Sequence, residues 1–165
     1  FSFDGFTQYS TGSTPVLGIN QYTKMVWFQI DAANDNNLVS SDAGGHYMFF
    51  AGTSTLWAGN ANQPPYAGGG AFGSSTGINT GTWYCATVVF SNPQIYLYIN
   101  GVQNAYDLTY ASSGRGGDGS VNLACFAPAG NLLSGKIAEV FCYGAALSAG
   151  QVLQNYNATK SRYGL

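Results

Sequence analysis

This sequence has very little charge. Asp, Glu, Lys and Arg make up 7% of its residues, whereas an average soluble domain contains about 25%. The five basic residues are scattered, apart from Lys160 and Arg162 near the end, so they cannot neutralise a run of phosphates. We therefore expect no nucleic-acid partner. Because few charges oppose association, we also expect much of the exterior to contact neighbours in an oligomeric assembly.

Long hydrophobic runs are also absent. No window approaches the roughly 18 apolar residues of a membrane-spanning helix, and the first residues, FSFDGF, include neither a Met nor a signal-peptide pattern. We expect a soluble chain without a membrane segment, either processed or cut from a longer polypeptide. Its 165 residues suit one domain spanning 1–165 with one core.

Residues that carry chemistry are few. Cys85, Cys125 and Cys142 are odd in number and lie in apolar runs without a CxxC pair, which predicts buried thiols and folding in a reducing cytosol. His46 is the sole histidine, and no G-x-S-x-G elbow accompanies it. Glu139 is the only glutamate. Both residues are more typical of hydrogen-bonded structural groups, so the sequence predicts no enzyme.

The strongest local pattern lies in residues 82–107. An apolar run ends at Ser91-Asn92-Pro93, a second run covers 95–99, and Asn100-Gly101 follows. Asn and Gly suit a type I′ turn, because both central residues of that turn need φ > 0. We predict three antiparallel strands. The first has large apolar residues on both faces, so both should be covered.

Several further elements follow from hydrophobic alternation and turn residues. Strands are predicted at 22–30, 47–50, 54–58, 121–127 and 135–143, and 31–37 is predicted to be a polar loop. Ser148 with Gln151 three residues later predicts the N-cap of a short helix. Many short strands and one terminal helix predict an all-β sandwich.

Residues 59–81 are rich in Gly, Asn, Ser and Pro without periodicity, which predicts a long loop. Since ordering it costs about 1 to 2 kcal/mol per residue, we expect order only on contact with a partner. Aromatic faces and amides in or beside the loops form a candidate glycan site: Trp57, Asn60, Gln63, Tyr66, Phe72, Asn79 and Tyr110. The alternative is that these residues pack a loop or a protein interface.

Four separate segments resemble one family. These are F-x-F-D-G at 1–5, W-Y at 83–84, L-Y-I-N-G at 97–101, and G-K-I-A-E-V at 135–140 with A-L-S and Y-N-A after it. Together they are similar to laminin-G-like domains of the concanavalin A-like lectin and glucanase superfamily. Residues 40–41, 46–50 and 56–59 resemble the copies found in structural proteins of tailed bacteriophages.

The resemblance implies an all-β jelly-roll sandwich of two antiparallel sheets with one short C-terminal helix. It also bears on catalysis, because glucanases of this superfamily use paired carboxylates on one strand, written E-x-D-x-x-E. Glu139 is instead followed by Val140, Phe141 and Cys142. Hydrolysis by that mechanism is not expected.

Calcium is the cofactor that the resemblance implies, because laminin-G-like domains often hold it at the rim. Asp31, Asp35 and Asn37, together with two further Asn residues, supply oxygen ligands of the kind calcium takes. The same residue types favour turns, and no EF-hand spacing is present. The sequence predicts no cofactor, with calcium at Asp31, Asp35 and Asn37 as the alternative.

The function that we predict is a non-enzymatic surface module of a virion, either structural or tail-associated, that packs on other virion or surface proteins. The alternative is a lectin-like domain that recognises surface glycans. Either function places the chain on a virion or at an extracellular surface. Fold alone does not separate the two, because this superfamily contains both kinds.

Overall fold

The structure of this protein is a computed structural model. It describes residues 1–14, 17, 20–34, 36–41, 46–59, 71–108, 120–126 and 130–165. The strands in this part are β1 (Ser2–Asp4), β2 (Ser10–Ser13), β3 (Gln21–Ile30), β4 (Asn36–Asn37), β5 (Val39–Ser40), β6 (Tyr47–Phe50), β7 (Leu56–Gly59), β8 (Ala71–Gly73), β9 (Tyr84–Ser91), β10 (Gln94–Ile99), β11 (Val102–Asp107), β12 (Ser120–Leu123) and β13 (Ser134–Tyr143). A helix, α1 (Ala149–Thr159), and a 3-10 turn, Lys160–Tyr163, follow.

The first layer is a six-stranded antiparallel sheet in the order β1-β13-β3-β9-β10-β11. Its centre is β3, in which every residue from Tyr22 to Ile30 is buried, and β9, which is buried from Tyr84 to Phe90. Strands rich in β-branched and aromatic residues suit this central position. The prediction that both faces of the 82–107 segment are covered is confirmed for β9.

The predicted turn at Asn100-Gly101 has the expected backbone. Asn100 has φ 51° and Gly101 has φ 77°, as a type I′ turn requires. The side-chain oxygen of Asn100 also accepts a hydrogen bond from the backbone N–H of Cys85 at 2.9 Å. The hairpin tip is thereby tied to β9, and β11 returns beside β10.

The second layer is built from two short sheets, β2-β12-β5 and β4-β6-β7-β8. Leu38 stands between β4 and β5 and donates its N–H to the carbonyl of Met48 at 2.9 Å, while Ser41 donates to His46 at 2.9 Å. These bonds attach the β4–β5 segment to the segment that begins β6, so the two sheets lie side by side. The chain is therefore a two-layer antiparallel β sandwich with a short C-terminal helix, as predicted.

The helix begins as the sequence predicts. The Ser148 hydroxyl accepts from the Gln151 N–H, and the Gln151 side chain accepts from the Ser148 N–H. Because this capping box satisfies two N–H groups at the helix start, it fixes where α1 begins. Within the described residues, no helix is long and apolar enough to cross a membrane.

Two regions differ from the sequence predictions. Residues 36 and 37, predicted to be loop, form β4 and pair with Phe50 and Phe49. The predicted loop 59–81 contains β8, and Ile78 is buried in the core. The expectation that a partner orders this loop is wrong for 71–81, since pairing with β7 and burial of Ile78 hold it. Residues 60–70 lie outside the described residues.

Candidate functional site

The outer face of β4-β6-β7-β8 carries a row of side chains that crosses all four strands. Asn37 pairs with Phe49, Phe49 with Trp57, and Trp57 with Gly73. Cross-strand partners share a face, and the residues flanking this row on β6 and β7 lie in the core between the layers. The row therefore points away from the core, with its members about 4.8 Å apart across the strands.

Trp57 and Phe49 make this face aromatic. A Cβ placed on Gly73 would lie 3.4 Å from two carbons of the Trp57 indole, so the indole rests against the bare backbone of Gly73. The Tyr47 and Phe49 rings meet edge to face, with their centroids 5.6 Å apart. Trp57 and Phe49 are each half-buried. Both rings are thus supported on one side while part of their surface remains exposed.

Asn37 adds a polar group to the row. Its side chain is 1% exposed, and its Oδ1 atom is buried with no hydrogen-bond partner among the described residues. An unpaired buried acceptor costs about 1 to 3 kcal/mol, so native structures rarely keep one without a reason. A hydroxyl or water donating to Oδ1 would remove this cost.

The other predicted ligand-binding residues are placed less fully. Asn60, Gln63, Tyr66 and Tyr110 lie outside the described residues. Phe72 lies in β8 and pairs with Ala58. Asn79 is exposed, and its backbone N–H donates to the Tyr84 hydroxyl at 3.3 Å. The structure therefore places Trp57 in the row that crosses the four strands and places Asn79 outside that row. Ligand binding by the predicted residues stays a prediction.

Several oxygen atoms in the candidate calcium loop already accept hydrogen bonds from within the chain. The Asn36 side chain donates to the carbonyls of Ala32 and Asn34 and to Asn34 Oδ1, at 2.7 to 3.1 Å, and Asn36 Oδ1 accepts from Ser134 N–H. Asn37 faces the opposite side of β4 from Asn36. Nor do the described residues contain a group of three His, Cys, Asp or Glu that could hold a metal. Asp35 lies outside the described residues, so calcium at Asp31, Asp35 and Asn37 stays a prediction.

Calcium should leave the thermal stability of this protein nearly unchanged. The Asn36 side chain hydrogen-bonds to oxygens of Ala32 and Asn34, and the exposed Asp31 is the one carboxylate among the described residues of this loop, which by itself binds calcium weakly. A ligand present at 100 times its Kd would stabilise the fold by about 2.7 kcal/mol. Thermal melts in calcium and in chelator measure this, and a Tm that rises by several degrees with calcium would assign Asp31 and Asp35 as ligands.

Glu139, the only glutamate, is paired with a cation. Its Oε1 accepts from Arg162 Nη1 at 2.6 Å. Burial, and then the nearby Glu139 carboxylate, raise the pKa of the Tyr163 phenol to about 12. This geometry agrees with the prediction that Glu139 is a hydrogen-bonded structural group.

A cavity of about 270 Å³ lies at the open edge of the sandwich, where β2 and β12 face Val140 and Cys142 of β13. Burial raises the pKa of the Cys142 thiol, so the thiol remains protonated near neutral pH and is a poor nucleophile. Cys85 and Cys125 are buried as predicted, whereas Cys142 is half-buried. No disulfide joins these three residues, all of which the structure describes.

Comparison with protein families identifies this architecture. The Laminin_G_3 model of the concanavalin A-like lectin/glucanase superfamily matches residues 3–153. This chain belongs to that family. No relative was found among curated proteins.

Solved structures share the architecture of this laminin-G-like chain. A heptameric SAP-like pentraxin from Limulus polyphemus has TM-score 0.72 and 17% identity, covering 92% of this chain and 78% of its own. The CBM40 of a Ruminococcus gnavus sialidase, bound to α2,3 sialyllactose, has TM-score 0.69 and 12% identity, covering 94% and 97%. The binding domain of botulinum neurotoxin serotype G has TM-score 0.74 and 11% identity, covering 96% and 42%. This chain thus spans less than half of the toxin domain, and these low identities establish the fold alone.

Proposed function

We propose that this chain is a non-catalytic glycan-binding module that contacts a sugar through the outer face of β4-β6-β7-β8. The half-buried Trp57 indole, which packs against Gly73 beside Phe49, carries the proposal. Sugar sites combine an aromatic surface with a few placed polar groups. Asn37 lies in the same row, but its side chain is 1% exposed, so a sugar on this face would meet the two rings and not the Asn37 amide. The similar fold of a sialyllactose-bound CBM40 supports this assignment.

The charge distribution favours an uncharged sugar. Lys24 is fully buried, and the other basic residues that the structure describes lie on β13 or in the C-terminal 3-10 turn: Lys136, Lys160 and Arg162. Described residues thus provide no cation beside Trp57 to pair with a sialic-acid carboxylate. We therefore expect neutral hexoses to bind more tightly than sialylated glycans.

Replacing Trp57 with alanine should weaken glycan binding about tenfold or more, because the stacking surface for the sugar is lost. A glycan array that includes neutral oligosaccharides and α2,3 sialyllactose would identify the bound sugar. Calorimetry with that sugar then measures the Kd of the wild type and of the Trp57→Ala variant.

Trp83→Ala is the matched control. Trp83 is also half-buried, but it directly precedes β9 of the first layer, and its ring centroid lies 5.0 Å from that of Tyr163 in the 3-10 turn. Trp83→Ala should keep the wild-type Kd. If both variants lost the same affinity for the sugar, the loss would result from general destabilisation, and a site at Trp57 would be contradicted.

A second candidate function is packing against a neighbouring protein of a surface assembly, such as a virion. The segment after β1 favours it, because the Asp4 carboxylate accepts hydrogen bonds from Phe6, Thr7 and Gln8. These bonds hold the pKa of Asp4 well below its usual range and fix a tight turn that leaves Phe6 83% exposed. A large, rigidly presented aromatic residue is typical of a protein-interface anchor. The resemblance to phage structural proteins supports the virion setting, and a glycan array without any bound sugar would favour this function.

A further inference from the structure

Lys24 is a lysine buried in the core between the two layers. It lies on β3 with an exposed fraction of 0%. Its Nζ atom is 3.3 Å from the carbonyl oxygen of Val39 on β5 and 3.1 Å from Nδ1 of His46. His46 is also fully buried. An amine of the first layer thus contacts two groups of the second.

The contacts of His46 define its tautomer. Its Nε2 atom is 3.3 Å from the carbonyl oxygen of Ser120 on β12. A carbonyl can only accept, so Nε2 carries the hydrogen and Nδ1 keeps the lone pair that accepts from Lys24. The hydrogen bonds of Lys24 and His46 therefore connect β3 to both β5 and β12, provided that His46 is neutral.

The surroundings oppose a second positive charge. Burial lowers the pKa of Lys24 to about 7, and burial together with the Lys24 ammonium lowers the pKa of His46 well below 6.5. The two strands beside β3 present Cys142 of β13 and Val88 of β9 as the partners of Lys24. On β3 itself, the centroid of the Tyr22 ring lies 5.9 Å from that of His46. In the described part of the chain, no carboxylate hydrogen-bonds to Lys24 or His46.

We propose that Lys24 and His46 form a latch between the two layers that opens on acidification. With His46 neutral, the latch holds β5, β12 and the start of β6 against β3. When His46 is protonated, Nδ1 can no longer accept from Lys24, and two cations stand 3.1 Å apart in the core. Separation of these strands lets water reach both charges.

Proton uptake sets the pH range of this opening. In the open state Lys24 and His46 regain their ordinary pKa values of 10.5 and 6.5. Opening therefore takes up a proton on Lys24 between pH 10.5 and about 7, and a proton on His46 below pH 6.5. In each range the closed state loses stability as the pH falls, and the ratio of open to closed molecules rises about tenfold per pH unit.

The test is an NMR titration of the wild-type chain between pH 8 and 4.5, together with amide hydrogen exchange. His46 is the only histidine, so its imidazole gives a single set of signals. We expect the chemical shifts of these signals at pH 6 to remain those of a neutral imidazole. We also expect protection factors in β5 and β12 to fall about tenfold per pH unit below 6.5, while those in β9 and β10 fall less.

Two variants assign the effect. His46→Gln should remove the decrease in protection below pH 6.5, and Lys24→Met should move the titration of His46 to higher pH because the neighbouring cation is gone. An imidazole that titrates near pH 6.5, or protection in β5 and β12 that does not change with pH, would overturn the latch. Both of these results come from the wild type, so they decide the question even if a variant fails to fold.

Discussion

Trp27→Ala should lower the free energy of unfolding by about 3 to 5 kcal/mol. Trp27 is fully buried on the outer face of the first layer. Its ring stacks on those of Tyr163 and Tyr156, with centroids 4.0 Å and 5.7 Å away. Its Nε1 also donates to the hydroxyl of Thr159 at 2.9 Å. Alanine would leave a cavity beneath the helix and remove this hydrogen bond together with the stacking.

Urea unfolding followed by far-UV circular dichroism measures this loss. Trp27→Phe is the control, because it keeps an aromatic ring between the two tyrosines and should cost less than the alanine variant. A decrease below about 1 kcal/mol for Trp27→Ala would contradict the described docking of α1 on β3.

Gly135→Ala should lower the free energy of unfolding by about 3 kcal/mol. Gly135 lies in β13 between Phe3 of β1 and Ile30 of β3. A Cβ on Gly135 would overlap the backbone carbonyl oxygen of Gln29 and lie 3.0 Å from the Cα of Ile30. Since both contacts are with backbone of the central strand, only a shift of the sheet could relieve them.

Gly12→Ala is the matched control for this prediction. Gly12 also lies in a strand, β2, but a Cβ there meets nothing within 4 Å. The free energy of unfolding of the Gly12→Ala variant should differ from that of the wild type by less than about 1 kcal/mol. If the two alanine variants unfold at the same urea concentration, the close approach of β13 to β3 at Gly135 is wrong.

Local sequence signals predicted the features that depend on neighbouring residues. Asn100-Gly101 predicted the turn because Asn and Gly readily adopt the positive φ angles that this turn requires. Ser148 and Gln151 gave the helix start because the capping box is formed within four residues. The fold class followed from many such signals in series.

Features set by pairing between distant segments were missed. The strand at 71–73 is three residues long with small residues at both ends, too short to show alternation, and it forms because it pairs with β7. Lys24 was treated as one of several scattered basic residues, although it shares the core-facing register of Tyr22 and Val26. A buried lysine at this position is explained by its contacts with Val39 of β5 and with His46 before β6, which itself contacts Ser120 of β12.

The candidate site was predicted in part. Trp57 was selected because it is an aromatic residue beside a loop, and it lies in the aromatic row. Phe49 was not selected, and Asn37 was predicted as a calcium ligand. The registers of β4, β6 and β7 place Phe49 beside Trp57 and Asn37 beside Phe49, and strand register between distant segments cannot be read from one sequence.

The most direct test of the proposed function uses the indole N–H signals of the three tryptophans. Heteronuclear NMR spectra would be recorded while the sugar selected on the glycan array is added. We predict that the Trp57 signal shifts in a saturable manner, whereas those of Trp27, buried under the helix, and of Trp83 stay in place. Saturable binding that leaves the Trp57 signal unmoved would contradict a glycan site on this face.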